Sequence, residues 1–426
     1  MSGGAGVTTE RQGGPAAAVG ARRRVRAAPM GEGGAVTTLE LFFDLVFVFA
    51  LTQVTAAMAH DLSGTSVLQG LLVFALLWWS WTGYAWLANL VRADKGLARV
   101  GLFAAMAAMF VLALTIPEAF HDAPGGLPGP VVVAVSYFVF RSLHLLLFHL
   151  FAGDDQDLRR QLLRFTLAML GGTGLLLAAA TAHGRTQLWL WVAALAVDYC
   201  GTYLGGARGW RVRSVSHFAE RHGLIVIVAL GESIVAIGVG VAALPISWPV
   251  VAASVLGLTL AGALWWAYFD VSSHAAEQAL ATAPGERRAG MARDAYSFLH
   301  LPLVAGIVLL ALGLKKVLEY VGDQQAHALT DPLKGIPLAA LVGGVVLYLL
   351  AHVAFLRRTT GGVNAARLVV ALLLIPAGWT LAHLPALAAL ACLTAAVVAL
   401  LIVEHHRHGD EPDRIRHEDR HPAAPD

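Results

Sequence analysis

Glu40-Leu-Phe-Phe-Asp44-Leu-Val-Phe-Val-Phe-Ala-Leu-Thr-Gln53 opens an apolar run long enough to cross a bilayer, yet it holds two carboxylates and an amide. Hydrocarbon charges roughly 2.5–3.5 kcal/mol for an acidic side chain at a helix centre. Acids kept inside a span therefore mark function by default. Glu40 and Asp44 are four residues apart, on one helix face and about 6 Å apart along the axis. Two carboxylates that close can share, bind and release a proton. Glu40 also suits a second role, capping the first turn after Thr37-Thr38, where the helix dipole favours an anion.

The rest of the chain has the same character. Its 426 residues are 57% hydrophobic and 14% charged, against about a quarter charged in a soluble domain. Twelve apolar windows can be placed, at roughly 39–59, 66–90, 98–116, 130–151, 161–182, 186–204, 220–242, 247–269, 297–315, 335–356, 366–384 and 385–404. Each is near the ~20 residues a membrane helix needs. The fold expected is an all-α polytopic membrane protein. Cys200 and Cys392 lie in apolar segments, which excludes a disulfide framework or a cysteine metal site.

Basic residues sort by side. Of the 30 Lys and Arg, 25 fall in the two tails and in alternate connections; Arg185, Lys315, Lys316 and Lys334 fall opposite, and Arg141 lies inside a span. The positive-inside rule then places both termini in the cytoplasm. Lys315-Lys316 is the blemish, and it suggests that the 297–315 helix ends elsewhere. Residues 1–35, with Arg22-Arg23-Arg24-Val25-Arg26, read as a disordered cytoplasmic tail rather than a nucleic-acid arm. Residues 405–426, rich in His, read as a second solvated tail.

Leu45–Gln53 aligns without gaps to Leu224–Glu232, Trp78-Trp79 to Trp265-Trp266, Ala98-Arg99 to Ala292-Arg293, and Leu143-His144 to Ala351-His352. This ordered series points to two parallel six-helix repeats, 36–205 and 206–404, an arrangement that places a transporter site between halves. Gln53 is then the counterpart of Glu232.

Several charged positions need partners. Glu232 and Arg141 sit at similar depth and are expected to pair or share a site, with Asp198 as the other partner available to Arg141. His217-Phe-Ala-Glu220-Arg221-His222-Gly223 offers an acid, a fixed cation and titrating imidazoles. His144, His149, His300, His352 and His383 lack an acidic ligand at metal spacing, so no metal or other cofactor site is read. Trp78, Trp79, Trp81, Tyr84 and Trp86 read as an interfacial aromatic belt, with some free to line a pocket. No phosphate loop, nucleotide fingerprint or nucleophile elbow occurs, and no connection is long enough for a soluble catalytic domain.

Glu40-Leu-Phe-Phe-Asp44-Leu-Val-Phe-Val with Thr52-Gln53, and Glu220-Arg221-His222-Gly223-Leu with Leu230-Gly231-Glu232, resemble the bacterial low temperature requirement protein A family over about 36–404. The resemblance implies a multi-pass inner-membrane protein and supplies neither substrate nor mechanism. The expected function is a proton-coupled secondary transporter of an unidentified small solute or ion, not an enzyme. Glu232 and Asp44 would carry protons, Arg141 would bind an anionic group, and Gln53 would bind substrate. Glu40, His144, Asp198, Glu220, Arg221 and His222 complete the candidate set. A sensor with a static polar core is the alternative, and a lipid-directed enzyme with a lateral opening beside Glu220, His222 and Asp44 a further one. The bilayer is the expected partner, nucleic acid is not, and oligomeric state is left open.

Overall fold

The computed structural model describes residue 31 and residues 34–152, 155–204, 206, 210–242 and 244–407. The Arg22 to Arg26 cluster and His408, His417 and His421 lie outside them. Among the described residues the chain forms α1 (Thr38–His60), α2 (Gly64–Leu90), α3 (Gly96–Leu114), α4 (Gly129–Phe151), α5 (Gln156–Ala180), α6 (Gly184–Leu204), α7 (Val215–Val241), α8 (Trp248–Phe269), α9 (Ser272–Thr282), α10 (Gly285–Met291), α11 (His300–Gly322), α12 (Ile336–Thr359), α13 (Ala365–Leu381) and α14 (Ala386–Arg407). A π-helical turn, Ala292–Phe298, joins α10 to α11. Every apolar window becomes a helix. Ten helical segments are long and apolar enough to cross a membrane. The exceptions are α6, which carries Asp198, and α13, which is 17 residues long. The protein is a multi-pass membrane protein.

Local chemistry sets the helix starts. Thr37 and Glu40 form a capping box, each satisfying the other's backbone amide. Asp155, Ser214, Ser247 and Asn364 cap α5, α7, α8 and α13 with side-chain oxygens. These caps move two starts outward from the apolar windows, to Gln156 and Val215. At the other end, α11 runs on to Gly322, so Lys315 and Lys316 are helical. Lys316 pairs with Glu319 at 2.7 Å, and Lys315 faces the crevice that holds Glu232.

Outward faces carry large apolar side chains such as Leu163, Leu167, Leu373 and Trp379, all more than half exposed, as a lipid-facing surface requires. Inward faces build one large core. α1 packs on α2 and α3, then α3 on α4, α4 on α5, α5 on α6, and α6 returns to α2. In the second half α7 packs on α8 and α11, α11 on α12, α12 on α13, α13 on α14, and α14 returns to α8. The halves meet along α1 and α7, which begin side by side: the Val36 amide donates to Glu220 at 3.1 Å.

The tightest helix pair is α11 with α12. A Cβ on Gly306 would lie 2.7 Å from the Gly344 carbonyl oxygen, and one on Gly313 would lie 2.5 Å from Leu341 Cα. Only glycine admits backbones this close, the usual device for joining helices in lipid.

Candidate functional site

Three polar centres among the described residues hold most of the candidate side chains; a further one, Arg367 with Glu404, lies in the second half. The first lies where α1 and α7 start. Arg221 holds Asp44 with both branches of its guanidinium, Nη1 to Oδ2 at 2.6 Å and Nη2 to Oδ1 at 2.9 Å, and Nη1 also reaches the Glu40 carbonyl at 3.2 Å. The Trp81 indole donates to Asp44 Oδ1 at 2.9 Å, and its ring lies under the Arg221 cation at 5.5 Å. His217 Nε2 donates to Glu40 Oε1 at 2.9 Å, while Thr37 donates to Glu40 Oε2 through backbone and hydroxyl. Glu40 is 1%, Asp44 3% and Arg221 1% exposed. Every carboxylate oxygen here is matched, and a bidentate arginine pair is geometrically exacting. This is the geometry of a clamp between α1 and α7. His222, next to Arg221, donates from Nδ1 to the Phe218 carbonyl at 2.8 Å and packs edge-on to Trp81 and His300.

The second centre is Glu232, 1% exposed in α7. Thr52 on α1 donates to it at 2.5 Å, and Thr55 and Lys315 line the same crevice of about 20 Å³, room for a single water. Glu232 therefore sits where the two halves touch. Gln53, half-buried beside Thr52, bonds to no side chain among the described residues.

The third centre is a cavity of about 210 Å³ within the first half, bounded by α2, α4, α5, α6 and the segment at Trp210 to Arg213. Arg141 enters from mid-α4, 3% exposed, with Nη2 4.0 Å from Asp198 Oδ1 on α6. Tyr137, one turn earlier, donates to Asp198 Oδ2. His144, one turn later, packs against Gly83. A Cβ at Gly83 would lie 2.9 Å from His144 Cε1 and 3.1 Å from Arg141 Nη1, so glycine here makes room for both side chains. Aromatic rings wall the space: Trp86 meets Trp210 edge-on at 4.1 Å, Phe165 lies against Trp210 at 5.7 Å, and Trp79 packs on Tyr199 at 4.4 Å. At the mouth Arg211 pairs with Asp155 at 2.9 Å.

The lining has polar atoms without partners. Trp79 Nε1, Thr82 Oγ1, Arg141 Nε, both nitrogens of His144, Gln161 Nε2 and Trp210 Nε1 are buried and unbonded, and all six residues line this cavity. Native interiors leave few such atoms, and each calls for an explanation. Nearly all are N–H or O–H donors, gathered about the buried guanidinium of Arg141. Such a lining is chemically suited to acceptor-rich or anionic groups.

The family model for the bacterial low temperature requirement A protein matches residues 35–402. The chain belongs to this family. An uncharacterised protein of Rhizobium meliloti (strain 1021) is 30% identical over 378 residues, covering 85% of this chain and 87% of the relative. No solved structure matches the chain. The two motifs that carry the family resemblance meet in space: Asp44 of the first grips Arg221 of the second, and Thr52 of the first bonds Glu232 of the second.

Within this LtrA-family chain some expectations need correction. Arg141 and Glu232 do not pair; Arg141 turns to Asp198, and Glu232 is held by Thr52 in another part of the core. Arg141, Asp44 and Glu232 do not converge on one cavity. The tryptophans of α2 are not an interfacial belt: Trp78, Trp79, Trp81 and Trp86 are 5% exposed or less, and Trp78 and Trp86 both donate to Ser297 in the second half. Glu40 takes its anticipated capping role, and it also pairs with His217 on α7, a contact that the sequence does not announce. His300 bridges Tyr268 and the Ala295 carbonyl, and His352 lies on Arg367, which pairs with Glu404 at 2.8 Å. Thr82, Gly83, Gln161 and Trp210 also line the cavity, and no motif in the sequence marks them. Gln161 was findable, since it shares a helical stripe with buried Leu162, Met169 and Gly172.

Proposed function

We propose that the protein is a secondary transporter of a small organic anion, bound in the Arg141–His144 cavity rather than between the halves. The observation that carries this reading is the set of six residues whose polar atoms line one cavity without partners. Arg141 and His144 would hold a carboxylate, with Gln161, Thr82 and the two indole N–H groups completing its shell. The flat apolar walls at Trp86, Phe148 and Phe165 suit an aromatic or branched body. The mouth at Asp155 and Arg211 lies on the basic side of the molecule, which is the cytoplasmic side under the positive-inside rule.

Coupling to protons follows from Asp198. It competes with the guest for Arg141. Protonating Asp198 removes the competing charge and leaves the guanidinium to the anion, so a proton and an anion would move together. Tyr137 holds the carboxyl in place through this exchange. In this scheme Asp44 and Arg221 fasten the two halves and Glu232 sits at their seam. The recurring order of helix neighbours supports reading the halves as a parallel duplication, with this donor-lined cavity in the first.

The test is uptake of radiolabelled benzoate and indole-3-acetate into proteoliposomes with an inward proton gradient, for the wild type and Arg141→Gln. Gradient-driven accumulation that Arg141→Gln abolishes supports the proposal. Binding without flux would favour a membrane sensor, a reading helped by the sealed clamp between α1 and α7. Neither binding nor flux for any anion tested would remove both. For the lipid-directed enzyme, the groove beside Glu220 is not lined by His222 or Asp44, so the three residues do not share an opening.

A further inference from the structure

Lys315-Lys316 runs against the positive-inside rule, and its two lysines do different things. Lys316 pairs with Glu319. Lys315 makes no ion pair among the described residues and lines the crevice that holds Glu232. We propose that Glu232 is a proton-binding site filled from the face opposite the basic one, with Lys315 as its movable counter-ion. The site is separate from Asp198 and stands whether or not the Arg141 cavity carries an anion.

Position argues for this role. α1, α7 and α11 all start at the basic face. Glu232 precedes the far end of α7, Val241, by about 14 Å along the axis, and Lys315 precedes that of α11, Gly322, by about 10 Å. At both depths an uncompensated charge is costly. α7 and α11 lie close here: a Cβ on Gly240 would stand 3.2 Å from the Lys315 carbonyl oxygen. A helical side chain leans toward the start of its helix, so the Lys315 stem runs from the level of Gly240 toward Glu232. The exposed walls of the crevice, Ala56, Val235 and Val239, lie beyond Glu232 toward the ends of α1 and α7. The crevice therefore opens away from the basic face.

Chemistry narrows the ligand. Thr52 donates to the Glu232 carboxylate, while the Thr55 hydroxyl is spent on the Leu51 carbonyl. About 20 Å³ is too little for an organic guest or a hydrated ion. The lysine at the wall repels a metal cation. A proton meets both limits. With Glu232 ionised, its charge draws the Lys315 ammonium inward. With Glu232 protonated, nothing holds the ammonium there, and its long stem lets it turn to the headgroup region. Lys315 stays an ammonium throughout. No other titratable group competes at this level. α8 has none, α1 has Glu40 and Asp44 in its first two turns and His60 at its end, and Glu319 is taken by Lys316. Tyr84 of α2 and His274 and Glu277 of α9 lie toward the basic face.

The experiment is labelling of the full-length protein in nonionic detergent with dicyclohexylcarbodiimide across neutral pH, the adduct being located by peptide mass spectrometry. A carboxyl reacts as its acid: its proton passes to a carbodiimide nitrogen, its oxygen adds to the central carbon, and the adduct rearranges to a stable N-acylurea. Glu232 should be modified at low pH and protected at high pH. Asp44, gripped by Arg221, should stay unmodified and so report an intact fold. Lys315→Gln removes the counter-ion, so labelling of Glu232 should persist about one pH unit higher, a tenfold change in proton affinity. Lys315→Met, apolar and of similar length, should shift the profile equally, and Lys315→Arg should restore it. Absence of a Glu232 adduct at every pH overturns the proposal. So does a profile that neither Lys315→Gln nor Lys315→Met moves.

Discussion

Arg221 on α7 and Asp44 on α1 close a two-bonded ion pair, 177 residues apart in the chain, at 2.6 and 2.9 Å. Both are buried, and Trp81 covers the pair. Breaking a buried pair by removing one partner typically costs about 3–5 kcal/mol, because the other charge is stranded. Asp44→Asn and Arg221→Gln should therefore each reduce the yield of monodisperse protein and lower its unfolding midpoint. The double change Asp44→Leu with Arg221→Met should recover most of the loss, since it strands nothing. A double variant no better than the singles would mean that the pair does more than fasten helices.

The cavity makes a sharper demand on Arg141. Replacing it with Gln removes the fixed charge and keeps an amide donor. A hydrogen bond to a charged group contributes about 1.5–3 kcal/mol, so carboxylate affinity should fall by roughly tenfold to a hundredfold. Isothermal titration of detergent-solubilised protein with benzoate measures this. An unchanged affinity would place the anion elsewhere.

Gly83 controls the same space by what it lacks. Gly83→Ala puts a methyl 2.9 Å from His144 and 3.1 Å from Arg141. The helix itself should tolerate alanine, which has the higher helix propensity. The expected result is normal expression with weakened carboxylate binding, read in the same titration. Binding at wild-type strength would show that Arg141 and His144 can shift without cost.

Asp198→Asn separates binding from coupling. It keeps an acceptor for Tyr137 but cannot exchange a proton. Uptake should continue down the anion's own gradient and lose its response to an imposed proton gradient, measured in proteoliposomes at fixed internal pH. A variant that still accumulates anion against its gradient would take Asp198 out of the mechanism.

Gly306→Leu tests the α11–α12 seam. Its Cβ would meet backbone atoms of Gly344 and Tyr348 at 2.7 Å, and backbone cannot step aside as a side chain can. Size-exclusion profiles should show loss of the folded species, whereas Gly343→Leu, where a Cβ meets nothing within 4 Å, should be far milder.

The fold was open to reading because membrane helices advertise themselves. Each window of about 20 apolar residues became a helix; what the windows do not mark is α9, α10, most of the π turn, the extension of α11 to Gly322, and the starts set by caps such as Asp155 and Ser214. The family motifs were legible for the same reason: an acid in hydrocarbon stands out by its cost. Partner choice was not legible. Arg141 can face Asp198 or Glu232 equally well in one dimension, and only the packing of α4 against α6 through α5 decides. Burial of α2 was also hidden, since indoles at a lipid interface and indoles in a core have the same composition. The donor-lined cavity gathers Arg141 with residues as distant as Thr82 and Trp210, and its uncharged donors stand out little against an apolar background.

The nitrogen of Trp86 is tied to Ser297, while its ring forms part of the cavity wall. Ser297 belongs to the π turn that leads into α11, the helix packed most closely on α12 and α7. Under the proposed function, a guest pressing on that indole would bear on a turn in the other half of the molecule. Filling the cavity would then be felt at the start of α11, and a ligand too small to reach Trp86 would not be.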